Sequence, residues 1–410
     1  MIVKIYNKYY DISNFIKIHP GGEKILESCE AIDATNAFES YHAFSDMNKI
    51  EKIMKKYECN NPPYYIESTD STFNKSGFYD SVKKKVKKYF NKKSTKWTYS
   101  WLGTFVTTSS IYTASFMYTF LGTNQPFIYR IASSIISGAS LMCWLLQGYH
   151  DATHSAISKH KVINKSIAWL GSGLAFWDWS IWMKHHSILH HSFTGNYKLD
   201  PDMRHTHPFF KKSIKSKANK INSLTMITII LLFIPGLYCG QILSYSIGGF
   251  NKILWGFKIN KAKTISEWII ICIQLMIMYY GKSIILVILY FLSLNISYSI
   301  SILPDHDQLE TNLNSKVKTK DWGEMQVRHS GNFALNNLYY TRLYGSINYQ
   351  IEHHLFPSLC SWHLPAISKI VKETCIEHDI KYISNPSIID SYKSAIHNLY
   401  LINNKESKIY

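Results

Sequence analysis

Long uncharged blocks alternate with lysine-rich segments along this chain, and the block lengths suit helices that cross a bilayer. Residues 97–122 run 26 positions without a charge. That exceeds the ~20 helical residues needed to span a hydrocarbon core of ~30 Å. Residues 127–149 form a second block with one charge, Arg130, near its start. The connection Gly122-Thr-Asn-Gln-Pro126 has turn chemistry, so the two blocks predict a helical hairpin. Three further apolar stretches follow at 224–250, 268–281 and 283–304. Length alone would discard 268–281, but Lys252, Lys258, Lys261 and Lys263 would then sit in a lumenal loop, against the positive-inside tendency. We therefore expect a second hairpin, about 264–281 and 283–304, turning near Gly281-Lys282. The stretch 224–250, broken by Pro235-Gly236, is then re-entrant or interfacial. Residues 167–183 hold Trp169, Trp177, Trp179 and Trp182 around Asp178 and read as an interfacial segment.

The remaining segments are polar. Residues 1–60 contain no membrane-length block and predict a small soluble domain. Residues 61–80, with Pro62 and Pro63, read as a linker, and 81–96 as a lysine-rich amphipathic helix on the membrane surface. Residues 305–410 are polar again. Hydrophobic residues make up 46% of the 410 and aromatics 15%, while the mean hydropathy is only −0.12. The average hides the segregation into blocks. A net charge of +17 would suit a nucleic-acid binder, but many lysines flank apolar blocks, as from Lys83 to Lys96. We read them as cytosolic flanks of a membrane protein and expect no nucleic-acid partner. The seven cysteines form no CxxC and their count is odd, which argues against a disulfide framework or a zinc site. The N-terminus lacks a secretory apolar region, so no cleaved signal is expected.

Three histidine clusters sit just beyond apolar blocks: His150-Asp-Ala-Thr-His154, His186-Ser-Ile-Leu-His190-His191 and Gln350-Ile-Glu-His353-His354. Neutral imidazole ligates iron, zinc and copper. On a helix, His150 and His154 share one face, as do His186 and His190, while His191 turns to the adjacent face. His353 and His354 cannot point the same way on a helix. They suit one ligand for each of two ions, or one ligand and one supporting group. A lone HxxxH is usually a solvated face, but three clusters that hairpins can return to one side predict a site for more than one metal ion.

The head carries His19-Pro20-Gly21-Gly22, then Asp33-Ala34-Thr35-Asn36-Ala37-Phe38 and His42, after Tyr9-Tyr10-Asp11-Ile12. Residues 2–57 thus resemble the cytochrome b5 haem-binding domain, a small α+β fold. The resemblance implies haem b held by His19 and His42. With both axial positions filled, such a haem carries electrons. Ala31 stands where that family usually has Gly, and a small local adjustment is expected there.

The three clusters resemble the boxes of membrane-bound fatty acid desaturases and hydroxylases. Gly345-Ser-Ile-Asn348-Tyr349-Gln350-Ile351-Glu352-His353-His354-Leu-Phe-Pro357 is similar to the third box of front-end desaturases, where Gln replaces the first His, and that family carries a fused cytochrome b5 domain. Asp200-Pro201-Asp202 and Asp321-Trp322-Gly-Glu-Met-Gln326-Val327 add to the match. The resemblance implies a multidomain chain: a haem domain over 1–60, a linker over 61–80, and an all-α membrane desaturase domain over 81–410. That domain would have about four transmembrane helices in two hairpins, interfacial helices and a cytosolic histidine-box cap. It implies a di-iron site on His150, His154, His186, His190, His191, His353 and His354, with Gln350 beside it. His306 is an added candidate, and His363 a ligand or a supporting group. At His185-His186 the spacing favours His186. His205, His207, His329, His378 and His397 are expected to be surface or structural.

The activity so implied is oxygen-dependent insertion of a cis double bond into a fatty acyl chain, between an existing double bond and the carboxyl end. NADH electrons would arrive through a separate cytochrome b5 reductase and the fused haem. The substrate would be an acyl-CoA or a phospholipid, bound in a kinked apolar tunnel. The implied location is the endoplasmic reticulum membrane, with the haem domain and boxes facing the cytosol. The alternatives are a sphingolipid long-chain-base desaturase, a fatty acid hydroxylase, against which Gln350 argues, and a membrane-anchored electron carrier.

Overall fold

The computed structural model describes residues 1–60, 66, 69–204, 206, 211–215, 225, 253–254, 257–258 and 265–404. The stretch expected to be re-entrant, 224–250, lies outside the described residues except for 225. So do His205 and His207.

The head is α+β, as expected. Strands Ile2–Ile5, Lys8–Asp11 and Glu58–Cys59 form an antiparallel sheet with Lys8–Asp11 in the centre. Alternation along the first strand buries Val3 and Ile5, one face of the pleat. Helices Glu23–Ser28, Thr35–Tyr41 and Met47–Met54 cover that face. The carboxylate of Asp46 caps the third by accepting from the backbone N–H of Asn48 and Lys49, satisfying donors that a helix start leaves unpaired. Ala31 sits at φ +59°, a left-handed conformation that favours Gly. The resemblance to a Gly position thus has a backbone cause. Since L-residues lose roughly 1–2 kcal/mol in that conformation, Ala31→Gly should stabilise the head by about 1 kcal/mol. Thermal loss of haem absorbance would measure it, and an unchanged midpoint would refute it.

The apolar blocks fold as long helices. Tyr99–Leu121 and Phe127–Trp144 form the first hairpin, and Ile284–Asp307 packs along Phe127–Trp144. Ile265–Tyr280 packs instead on Lys161–Leu174 and Tyr99–Leu121, so the expected second hairpin is not closed by packing between its own two helices. At 1.5 Å per residue the first helix is about 35 Å long and Ile265–Tyr280 about 24 Å. Among the described residues, two continuous helical segments are long and apolar enough to cross a membrane, Phe127–Thr153 and Ile284–Asn314. Tyr99–Leu121 is long enough but rich in Ser and Thr. Its hydroxyls bond back along the helix, Thr104 to the Ser100 carbonyl at 3.2 Å, Thr107 to Gly103 at 2.9 Å and Thr108 to Thr104 at 2.9 Å. Polar groups satisfied in this way tolerate an apolar medium. The outer faces of these helices expose Val106, Ile128, Ile136, Ile269, Met276 and Ile285, an apolar belt larger than water tolerates without a partner.

Phe127–Trp144 and Ile284–Asp307 pack tightly through small residues. A Cβ on Gly138 would lie 2.1 Å from the carbonyl oxygen of Tyr290, so only Gly allows this approach of Phe127–Trp144 to Ile284–Asp307. Ser134 donates to the Leu286 carbonyl at 2.6 Å and Ser293 to the Ile135 carbonyl at 2.7 Å. Arg130, the one charge in its block, is buried. It donates to the carbonyls of Thr119 at 2.9 Å and Gly281 at 2.8 Å. Both are at helix C-terminal ends, where a cation is favoured.

Two expectations change. The lysine-rich helix starts at Phe78, within the expected linker, and runs to Tyr89. Its apolar face is covered by protein, not lipid. Phe78, Tyr79, Val82 and Val86 are buried against Trp322, Val371 and Leu355 in the cap. An apolar stripe with lysines behind it reads the same whether lipid or protein covers it. The tryptophan segment is likewise not interfacial throughout: Trp177 and Trp182 are core residues, stacked with ring centroids 4.9 Å apart.

The cap comprises helices Leu309–Asn314, Trp322–His329, Gln350–Leu355, Leu364–Glu377 and Ile388–Asn403. A two-residue parallel pairing joins Asn332–Phe333 to Ser384–Asn385. The head docks on the same end: Met183 and Ile188, beside the second histidine cluster, complete the head's own core.

Candidate functional site

Two π-helical turns, Leu145–His150 and Met183–His190, carry His150 of the first cluster and His186 and His190 of the second, with His154 and His191 just beyond them. A π turn bonds i to i+5 and is frequent at functional sites. The wider turn alters the expectation drawn from α-helical spacing. His191, expected on an adjacent face, has its ring centroid 4.9 Å from that of His186 and 5.6 Å from that of His190. All three rings of the second cluster therefore point inward. The third cluster lies on Gln350–Leu355, where adjacent residues diverge and His353 and His354 face different partners.

The result is two groups of imidazoles. His150, His154, His186 and His353 make one; His190, His306 and His354 make the other. Within each, the nitrogens that could ligate lie within 4.8 Å of one another. His191 stands between them, its ring centroid 4.5 Å from that of His154 and 4.2 Å from that of His354. His353 and His354 fall one to each group. His306 belongs to the second group, its Nε2 3.2 Å from that of His190 and 3.0 Å from Nε2 of Gln350. Its helix contains Pro304, which cannot donate to the carbonyl of Ile300; the Tyr340 hydroxyl lies 3.5 Å from that oxygen instead.

The second group shows which nitrogen of each ring is free. His306 Nδ1 donates to the His329 carbonyl at 2.8 Å. His190 Nδ1 donates to Asp200 Oδ1 at 3.1 Å. His354 Nδ1 contacts Gln326 Oε1 at 2.9 Å and the Thr194 hydroxyl at 3.1 Å. A ring whose Nδ1 carries the proton offers a lone pair on Nε2. This matches the outer hydrogen bonding that orients metal-ligating histidines. Across the first group, Nε2 of His150 and His186 face each other at 3.0 Å.

The donor set fits a pair of metal ions. Nε2 of His154, His353 and His354, both nitrogens of His191 and Oε1 of Gln350 are buried without a hydrogen-bond partner among the described residues. Orphaned acceptors are costly unless something occupies the space between them. Burial, then neighbouring imidazoles, push His154, His186, His191, His353 and His354 well below the usual histidine range. The rings are thus neutral, the form that ligates. His190 goes the other way. Burial lowers it, but Asp202 and Asp200 together outweigh burial and raise it.

The other candidates are placed elsewhere. His185 turns from the groups to Asp202, with Nε2 2.5 Å from Oδ1, as the preference for His186 implied. His363 contacts the Lys96 carbonyl at 2.8 Å and no ring of either group. His329 is more than a surface residue, because its carbonyl holds His306. His378 packs edge-on to Phe78 and His397 is exposed. Several partners went unassigned in the sequence. Asp200, Asp202 and Gln326 belonged to recognisable motifs without a role, and Thr194 and Tyr41 carried no signal. Beside the groups lies an apolar cavity walled by Leu145, Tyr149, Trp177, Trp182, Tyr298 and Ile302, with His150, His186, His306 and Gln350 at its edge.

In the head, His19 and His42 face each other with ring centroids 6.3 Å apart. That spacing leaves room for an iron with about 2 Å to a nitrogen on either side. His42 Nδ1 donates to the Phe38 carbonyl at 2.8 Å, freeing Nε2. A Cβ on Gly21 would come within 2.8 Å of the His19 ring, which explains the glycine there. Burial brings His19 down to about 4 and also lowers His42. The residues fit a bis-histidine haem.

Comparison with known proteins agrees with this geometry. The model of the fatty acid desaturase family matches residues 125–386. That of the cytochrome b5-like haem/steroid binding domain matches residues 1–60. A probable Delta(5) fatty acid desaturase C of Dictyostelium discoideum is 27% identical, over 99% of this chain and 93% of its own length. An acyl-lipid (8-3)-desaturase B of the same organism is 28% identical, over 97% and 90%. A Delta(8)-fatty-acid desaturase 2 of Arabidopsis thaliana is 24% identical, over 93% and 85%.

Proposed function

From the premise that this chain belongs to the fatty acid desaturase family and carries a cytochrome b5-like domain at its head, we propose that it is a front-end desaturase. It inserts a cis double bond into a fatty acyl chain between an existing double bond and the carboxyl end, with dioxygen as co-substrate. The observation that carries this reading is the pair of imidazole groups at the edge of an apolar cavity, beside a head that fits haem. The family implies iron in the paired site and the head implies haem. The finer reading extends this: His150, His154, His186, His190, His191, His306, His353 and His354 hold two irons, with Gln350 at the second. The haem domain covers 1–60, the linker 61–80 and the desaturase domain 81–410. Four crossings in two hairpins put both centres on the cytosolic side of the endoplasmic reticulum membrane. A separate reductase supplies NADH electrons, and the acyl group comes as a CoA thioester or a phospholipid.

Iron bound in these groups would supply the oxygen activation that removing hydrogen from an unactivated methylene requires. The chain's own residues do the rest. Leu145, Tyr149, Trp177, Trp182 and Ile302 wall a cavity of about 40 Å³ beside the groups, which must open to admit an acyl chain, and keep bulk water from the reacting carbons. Trp182, stacked on His186 with centroids 4.6 Å apart, fixes that ligand against the cavity wall. Asp200, itself buried, holds the proton on His190 Nδ1. Gln350 lines the cavity beside His306, where it orients the approach of the chain to the second group.

Expression in a host that lacks polyunsaturated acids, fed with single fatty acids, tests the reading. The expected product carries a new cis double bond on the carboxyl side of one already present. A hydroxy acid, unsaturation confined to long-chain bases, or no oxidised product would overturn it.

A further inference from the structure

The helix Thr35–Tyr41 ends directly at the haem-facing His42, and its last residue reaches the other centre. The Tyr41 hydroxyl lies 2.9 Å from the carbonyl oxygen of Ser187 and 2.6 Å from Nδ1 of His154. A hydroxyl has one proton, and a carbonyl can only accept. Tyr41 therefore donates to Ser187 and accepts from His154. His154 must carry its proton on Nδ1, which leaves a lone pair on Nε2. That Nε2 is buried without a partner among the described residues. It belongs to a ring whose centroid is 4.8 Å from that of His150, 5.1 Å from His186 and 5.0 Å from His353.

The contact is part of an organised interface. From the same helix, Asn36 Nδ2 donates to the Ser192 carbonyl at 2.7 Å. Lys24 donates to the Ser180 hydroxyl at 2.8 Å, and Ser155, next to His154, donates to the Gly21 carbonyl at 3.3 Å. Of these side chains only Tyr41 touches a ring of the metal groups.

We propose that Tyr41 is a positioning residue of the metal centre supplied by the haem domain, setting the tautomer and orientation of His154. The head is then a structural part of the metal site as well as its tethered electron donor. This rests on the desaturase reading.

Full-length Tyr41→Phe keeps the ring and removes only the hydroxyl. Ferrous iron affinity, measured by competition with a chelator, should fall about ten- to hundred-fold at one of the two sites, the range for loss of a ligand's outer hydrogen bond. Haem absorbance should be unchanged, which also reports that the head has folded. Asn36→Ala, which loosens the same interface without touching His154, should leave iron affinity intact. Unchanged affinity in Tyr41→Phe, or an equal fall in Asn36→Ala, would overturn the proposal, the latter by reducing Tyr41 to a docking contact. If the unaltered protein binds no iron beyond its haem, the desaturase reading fails, and the proposal with it.

Discussion

His191→Ala abolishes product and lowers the non-haem iron content of both groups, while haem absorbance stays that of the unaltered protein. The expectation comes from the position of this ring. It is buried, both its nitrogens lack partners among the described residues, and its centroid is 4.6 Å from that of His353 and 4.2 Å from that of His354. No other ring stands so evenly between the groups. Removing it takes a donor from the place where the two ions would be nearest and leaves the remaining orphaned nitrogens without a common cation. The loss should exceed the ten- to hundred-fold expected for an outer partner. Iron per haem, measured on purified protein, separates this from misfolding, since the head reports its own integrity. Two irons and near-normal product in His191→Ala would remove this residue from the centre.

His42→Ala gives the complementary result. Haem absorbance disappears, product falls to background, and non-haem iron stays at the level of the unaltered protein. His42 closes the helix Thr35–Tyr41, and its ring faces His19 across the haem space. His19, on the opposite side, is then the one axial ligand left. The host matters here. A free cytochrome b5 can deliver electrons in trans, but it lacks the millimolar effective concentration that a short tether provides. Reconstitution with reductase alone makes the assay decisive. Full product formation there without haem would show that the fused head is not the donor.

The histidines that gather into two groups were legible because chemistry restricts the residues that can bind metal. Few residue types bind iron, and His150, His154, His186, His190, His353 and His354 occur in spacings that a helix can converge. The long apolar helices and the first hairpin were legible because lipid demands long uncharged runs. What was not legible depended on partners far apart in the chain. Tyr41 and His154 are 113 residues apart, and nothing local to either marks the contact. Asp200 and Gln326 stood in motifs whose purpose appears only once His190 and His354 are seen against them. The lysine-rich helix misled because its apolar stripe, Phe78, Val82 and Val86, specifies burial but not what does the burying. Trp177 and Trp182 misled similarly, since tryptophan is favoured both at interfaces and in cores that need a large flat wall.

The π turns at Leu145–His150 and Met183–His190 also set a rule for chain length. Each accommodates one residue more per hydrogen-bonded loop than a regular α-helix. Deleting a single residue there would let the segment relax to ordinary α-helical pitch and close the widened turn that lets its histidines converge. Substitutions in these segments trade one side chain for another, whereas a one-codon deletion would re-aim His150, or His186 and His190, within the closed turn. Length variation among descendants of this chain should therefore collect in connections such as 122–126 and be absent from the two π turns.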